Sequence, residues 1–328
     1  MYFLSTALVQ HLREVYGNLE INGPEDGDWF FSTFGPGNVL NWVDRPYERS
    51  SDYEELLRIL EEDDTEKYHS IHKGTPFYFL SWTAFDLRNF EKALFYIDAA
   101  ISEDIRKLPN DWINQPGAAF LTLQDPHTQV ASRTIENVRQ YLVQELNRFN
   151  NISGRPPLDI QSFVDSFVRV LVLEQDVTKR TIVSGFYVFL LEFIDRYSEL
   201  RIRSSIGGSI LPFLIHLFKG GLIFESLLKH LYPDPAQPRR SLGNILNSHV
   251  FQADFPGQIP TGSSTLQEVV DGIDGNSIQS AFIATSRLRN TTGHNLVWDD
   301  VFSDPDIYRN LFYQEMNAIL YLISHKFL

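Results

Sequence analysis

Near the end of the 328-residue chain, the sequence SRLRNTTGH sets Arg289, Asn290 and His294 in the order R-N-x-x-x-H. These residue types can open an RNA phosphodiester without a metal ion. That reaction needs a proton taken from the 2′-hydroxyl, donors for the extra negative charge on the phosphorane, and a proton for the leaving 5′ oxygen. Histidine exchanges protons near neutral pH, and the arginine fork matches phosphate oxygens. Asn290 carries a donor and an acceptor, so it can hold the His294 ring or a ribose. Arg287 supplies a further cation for substrate contact. Because the nucleophile belongs to the substrate, the expected ends are a 2′,3′-cyclic phosphate and a 5′-hydroxyl. With 20 Arg and nine His in the chain, a bare R-x4-H spacing arises by chance roughly 0.5 times, and requiring Asn, Asp or His after the arginine lowers that to roughly 0.08.

Two helices must position these residues. Ile278, Ala281, Phe282, Thr285 and Leu288 fall on one face of the first, and Gly293 is expected to end it. Ser303 or Asp304 then caps a last helix with Pro305 in its first turn, and Tyr308, Leu311, Phe312, Ile319, Leu322 and Ile323 form its apolar stripe. In motif, and in the motif's place before a final helix, residues 205–328 resemble the HEPN superfamily (higher eukaryotes and prokaryotes nucleotide-binding), many of whose members are metal-independent ribonucleases. The resemblance implies Arg289, His294 and Asn290 as catalytic residues, Arg287 as substrate-binding, and neither metal nor cofactor. It also implies a homodimer through the C-terminal domain, because in that family two copies of the motif commonly meet across a two-fold axis around one phosphate. Roles in bacterial defence, as a toxin or in RNA processing follow from the same resemblance. Arg239, Arg240 and Arg309 are further candidates for backbone contact.

The rest of the chain reads as helical, so the fold expected is all-α. Residues 17–51, rich in Gly, Pro, Asn and Asp, describe a long loop docked by Trp29 and Trp42. Asp52 opens a helix with Tyr53, Leu56, Leu57 and Leu60 on one face, running into the acidic Glu61 to Asp64. Residues 76–104 resemble one tetratricopeptide hairpin through Leu80, Ser81, Phe90, Ala93, Tyr96 and Ala100, with Arg88 where a turn glycine is usual. A short apolar strand is expected at 118–123 and an amphipathic helix at 134–149. NNISGRPP, residues 150–157, is the best linker. Helices follow near 159–174, 178–202 and 208–231, then Pro-rich breaks at 233–240 and 254–264. The division expected is a helical interaction or sensing domain over 1–150, bridging helices over 158–204 and a ribonuclease-like domain over 205–328. A protein partner or an activating ligand is the expectation for the N-terminal region.

Weaker constellations are explained by ordinary structure. Glu66, His69 and His72 follow helical spacing without a second carboxylate-histidine pair. Glu225 stands four residues before Lys229, the spacing of a helix ion pair. The glycine pairs at 207–208 and 220–221 lack the Lys-Ser/Thr or strand context of a nucleotide loop. Absence of Cys excludes disulfides, thiol nucleophiles and Cys-ligated metals. A net charge of −14 disfavours non-specific attraction to nucleic acid, although 15 acidic and five basic side chains within residues 1–70 account for most of it. The apolar stretch 204–224 contains Pro212, His216 and Lys219, which favours a buried helix over a membrane span. The expected location is cytoplasmic and the expected partner is RNA. The rival readings are an RNA- or nucleotide-binding module without catalysis and a protein-interaction scaffold.

Overall fold

A computed structural model describes Gln10, Glu14 and residues 46–124, 129–237, 240–262, 264–294, 302 and 304–327, with the side chains of 46–49, 52, 129–133, 204–206 and 294 excepted. The loop expected over 17–51 lies outside these residues up to position 45. Among the described residues the protein is all-α and has no strand. The helices are α1 Pro46–Asp63, α2 Thr65–Ser70, α3 Gly74–Asp86, α4 Phe90–Lys107, α5 Pro116–Leu121 and α6 Gln129–Ser153. Next come α7 Ile160–Phe163, a π turn Val164–Val168, α8 Arg169–Leu173, α9 Val177–Ile206 and α10 Leu211–Leu231. The last are α11 Leu242–Leu246, α12 His249–Asp254, α13 Leu266–Asp271, α14 Ile278–His294 and α15 Pro305–Lys326. Their contacts form two compact units, one of residues 1–137 with 171–184, the other of 138–170 with 185–328. Of the segment 158–204, residues 171–184 belong to the first unit and the remainder to the second.

In the first unit α3 and α4 form a helical hairpin whose facing residues Leu80, Ala93, Ile97, Ala100 and Ile101 are fully buried. Asn89 caps α4 by accepting from the Lys92 backbone, and Arg88 before it takes φ 56°, a left-handed conformation more often left to glycine. The run expected as a strand at 118–123 is instead α5 followed by a turn. Pro116 occupies its first turn and buries Ala118, Phe120 and Leu121 against α3 and α4. A short apolar run fits either state, and with no described strand to pair with, its backbone bonds are satisfied within a helix. The stretch between α2 and α3 is tied to the end of α4 by buried charges. Lys73 Nζ donates to Glu103 Oε1 at 3.0 Å and to the carbonyls of Tyr68 and Ile71, and His72 Nε2 lies 2.7 Å from Asp104 Oδ1. Burial pushes Lys73 down and Asp104 up, while Glu103, which burial alone would raise, is held below the usual range by Arg106 and Lys73.

The second unit is organised around α15. Asp304 caps it through the Asp306 backbone, Pro305 stands in its first turn, and every residue from Gln314 to Ile323 is buried. Helices α10 and α14 pack on α15 and on each other. From α9, Phe193 stacks on Phe312 with centroids 3.8 Å apart, and from α6, Phe149 meets Tyr321 edge-on at 4.9 Å. The linker expected at 150–157 begins as the last turn of α6, and Asn150 bonds the Leu158 backbone in both directions. Helix α10 is long and apolar enough to cross a membrane, but 61% of its most apolar window is buried within the protein.

Polar groups enter this core in two ways. His216 is fully buried, Tyr308 donates to its Nδ1 at 2.7 Å, and its Nε2 donates to the Phe189 carbonyl at 2.8 Å, so the ring is neutral and fully bonded. Glu315 is also fully buried, but neither carboxyl oxygen has a hydrogen-bond partner, and burial raises its pKa far above the usual carboxylate range. Burial lowers His216 from 6.5 to about 3. These shifts oppose one another in their effect on stability. Below 6.5 the unfolded chain takes up a proton at His216 that the folded chain refuses, so stability should fall by about 1.4 kcal/mol per pH unit towards pH 3. Above 4.5 the unfolded chain releases the Glu315 proton that the folded chain keeps, so stability should also fall as pH rises through that side. Urea midpoints across pH should therefore show a flatter acid limb in His216→Gln. Glu315→Gln should be stabilised more at about pH 8 than at about pH 5, and an unchanged pH profile in both would remove this account.

Candidate functional site

The motif lies on α14, and its surroundings come from the helix beside it. Arg289 faces α10, where its stem crosses a glycine: a Cβ on Gly221 would stand 2.6 Å from Arg289 Cβ and 3.0 Å from its Cα. One turn further along α10, Glu225 Oε2 accepts from Arg289 Nε at 2.6 Å. The other oxygen, Oε1, lies 2.6 Å from Lys229 Nζ. A carboxylate only 6% exposed is thereby shared by two cations. The helix ion pair expected between Glu225 and Lys229 is present, and Glu225 is also the partner of Arg289, which the spacing alone did not reveal. A glutamate on the buried side of an apolar helix, one turn after a glycine, was the signal: such a charge needs a partner from a neighbouring element.

Asn290 links the arginine to the Pro-rich segment before α13. Its Oδ1 accepts from Arg289 Nη1 at 3.4 Å, and its amide nitrogen donates to the Thr261 carbonyl. Thr291 continues the attachment, donating to the Ser264 carbonyl at 3.0 Å. Among the described residues Arg289 Nη2 has no hydrogen-bond partner, and the side chain is 27% exposed. Gly293, expected to end the helix, lies within α14, which is described as far as His294. The reason is packing: Gly293 lies where a Cβ would be 3.1 Å from Phe218 of α10, so glycine serves close approach rather than termination. The His294 side chain lies outside the described residues.

Arg287 does not join Arg289. Two residues on a helix stand about 200° apart, and Arg287 turns to the end of α13, its Nη1 3.7 Å from the Cβ position of Gly272. Its Nε is buried without a partner. The second cation on Glu225, beside Arg289, is Lys229 of α10. Arg309 is bound to Asp306 at 3.1 Å, Arg240 bonds the Tyr232 carbonyl, and Arg239 lies outside the described residues. Among the described residues no group of three or more His, Asp or Glu side chains is placed to hold a metal ion. Of the residues weighed for that role, Glu66 and His69 are exposed and His72 turns to Asp104.

Comparisons with known protein families, curated proteins and solved structures found no match. The site therefore stands on its own geometry, and the spacing between α10 and α14 is its most sensitive part. Gly221→Ala should destabilise the protein by about 1–3 kcal/mol through overpacking, whereas Gly262→Ala, with nothing within 4 Å of its Cβ position, should leave the melting temperature near wild type. Equal melting of the two variants would contradict the close approach described here.

Proposed function

We propose that the protein is a metal-independent endoribonuclease of the HEPN type acting as a homodimer, with Arg289 and His294 as the catalytic pair. The observation that carries this reading is the anchored guanidinium. Among the described residues Arg289 is fixed through Nε and Nη1, has Nη2 unbonded, and has one carboxylate partner, Glu225, which it shares with Lys229. One carboxylate between two cations leaves net positive charge on an otherwise acidic chain, which suits a phosphate oxygen. In this reading the Arg289 fork takes the developing charge on phosphorus, His294 transfers the proton, Asn290 and Glu225 hold the guanidinium, and the 2′-hydroxyl of the RNA attacks. Two copies supply two such pairs. The outer face of α10 carries Leu211, Ile215 and Leu222, each about two-fifths exposed, an apolar surface that a second copy can cover.

Three measurements test the proposal. Sedimentation at tens of micromolar should show a dimer, and a strict monomer with and without RNA removes the composite site. Cleavage should persist in excess chelator, and dependence on added magnesium or manganese replaces this chemistry with a metal route. His294→Ala and Arg289→Ala should each lose on the order of 100- to 10,000-fold in rate. Circular dichroism should stay near wild type in both. Folded, dimeric variants that cut at the wild-type rate overturn the assignment, and a wild-type protein that binds RNA but never cuts it favours the binding-module reading.

A further inference from the structure

A second group of chemistry-bearing residues gathers at the other end of α14, on segments far apart in sequence. Gly154, at φ 62°, ends α6 and turns the chain so that Arg155 follows it. His325 and Lys326 are in the last turn of α15, Asp254 is the last residue of α12, and Tyr232 follows α10. Arg155 Nη1 donates to His325 Nδ1 at 3.3 Å, and His325 Nε2 lies 3.3 Å from Asp254 Oδ1. Lys326 Nζ is 2.5 Å from Asp254 Oδ2, which also accepts from the Tyr232 hydroxyl at 2.8 Å. The guanidinium lies 5.7 Å from the Phe255 ring and 6.0 Å from the Tyr321 ring. Arg240 and Asp234 stand behind Tyr232 and pair at 3.8 Å. The group is separate from Arg289: Phe255 packs on Phe282 of α14 at 5.0 Å, and Arg289 lies seven residues, about 10 Å, further along that helix.

The bonding order defines the state of His325. Guanidinium can only donate, so Nδ1 must be bare; carboxylate only accepts, so Nε2 carries the proton. Burial alone would push the Asp254 carboxyl up, yet Lys326, Tyr232 and His325 hold it at about 2, so it remains an anion. Arg155 has no carboxylate partner among the described residues and is spent on a weak acceptor, the imidazole nitrogen. With neutral His325, the charges of Arg155, Lys326 and Asp254 sum to one positive charge, and a proton on Nδ1 makes two. An incoming dianion satisfies both changes at once: it draws the Arg155 fork off Nδ1, and the proton taken from solvent gives Nδ1 a donor aimed at the same anion.

We propose that Arg155 and His325, backed by Asp254 and flanked by Lys326, form a binding site for a phosphate monoester dianion or free phosphate, occupied with uptake of one proton by His325. Phosphate matches the charge, because its second ionisation lies near neutrality. No bond is made or broken. The site does not depend on the nuclease reading.

The test is calorimetric titration of the full chain with inorganic phosphate at constant ionic strength, in buffers of different ionisation enthalpy, at about pH 6 and about pH 8. Saturable binding with uptake of nearly one proton is expected. Folded Arg155→Gln should bind about ten- to a hundredfold more weakly, and His325→Gln should bind without proton uptake and with a flat pH dependence. An oligoribonucleotide carrying a terminal phosphate, compared with its hydroxyl-ended counterpart, distinguishes the source. Tighter binding than inorganic phosphate, lost on dephosphorylation, assigns an RNA end; equal binding of inorganic phosphate assigns the free ion. No saturable phosphate binding by the wild-type protein overturns the proposal whatever the variants do. So does unchanged affinity in folded Arg155→Gln or unchanged proton uptake in His325→Gln.

Discussion

The approach of α14 and α15 to the glycine pair on α10 is the contact on which the second unit depends. Gly221 takes the stem of Arg289, and Gly220 takes Glu315, whose Oε2 lies 2.5 Å from where a Cβ would stand. A Cβ at Gly221 would meet the backbone of α14 at Arg289 Cα, and one at Gly220 would displace the Glu315 and Phe189 side chains, since protein interiors are as tightly packed as molecular crystals. Both residues are buried mid-helix, where glycine costs about 1 kcal/mol relative to alanine. That cost is offset by two helices seated close enough for Glu225 to reach across to the guanidinium.

Close packing also explains how polar residues come to lie in the centre of the unit. Helix α15 is surrounded from Gln314 to Ile323, so the polar positions in that stretch have no route to water, and the local pattern there cannot place them outside. His216 is accommodated because α9 and α15 each provide one hydrogen-bond partner, so neutrality is stabilised on both ring nitrogens. Glu315 has no such provision, and it remains in the core by staying protonated. Asn317, fully buried with neither amide atom bonded, is placed the same way, and nothing in the structure explains it.

The first unit solves a similar problem with charges instead of neutral groups. Lys73, 2% exposed, is surrounded by a carboxylate and two carbonyls, and Glu103 answers both Lys73 and Arg106. Arg180, 1% exposed, pairs with Asp98 at 2.6 Å and with Ser102 at 2.7 Å. Breaking one member of such a set leaves an uncompensated buried charge, which costs more than the set contributes when whole. These clusters hold particular helix ends in register more than they add stability.

By itself, the sequence determined the all-helical class, the start of the last helix and its buried stripe. Those follow from interactions within a few residues: the 3.6-residue period, the Asp304 cap and Pro305 in the first turn. Arg289 and Asn290 were visible as chemistry for the same reason, being neighbours in the chain. Tertiary packing alone decided what touches them. It supplied Glu225 and Lys229 from α10, and it set Phe218 against Gly293, whereas the separation of Arg287 from Arg289 follows from helix geometry alone. It made a helix of the run expected as a strand at 118–123, since an apolar run takes the form its neighbours can satisfy. It also brought Arg155 to His325 across 170 residues. Periodicity states which face of a helix is buried; only the assembled helices decide which side chain waits on the other side.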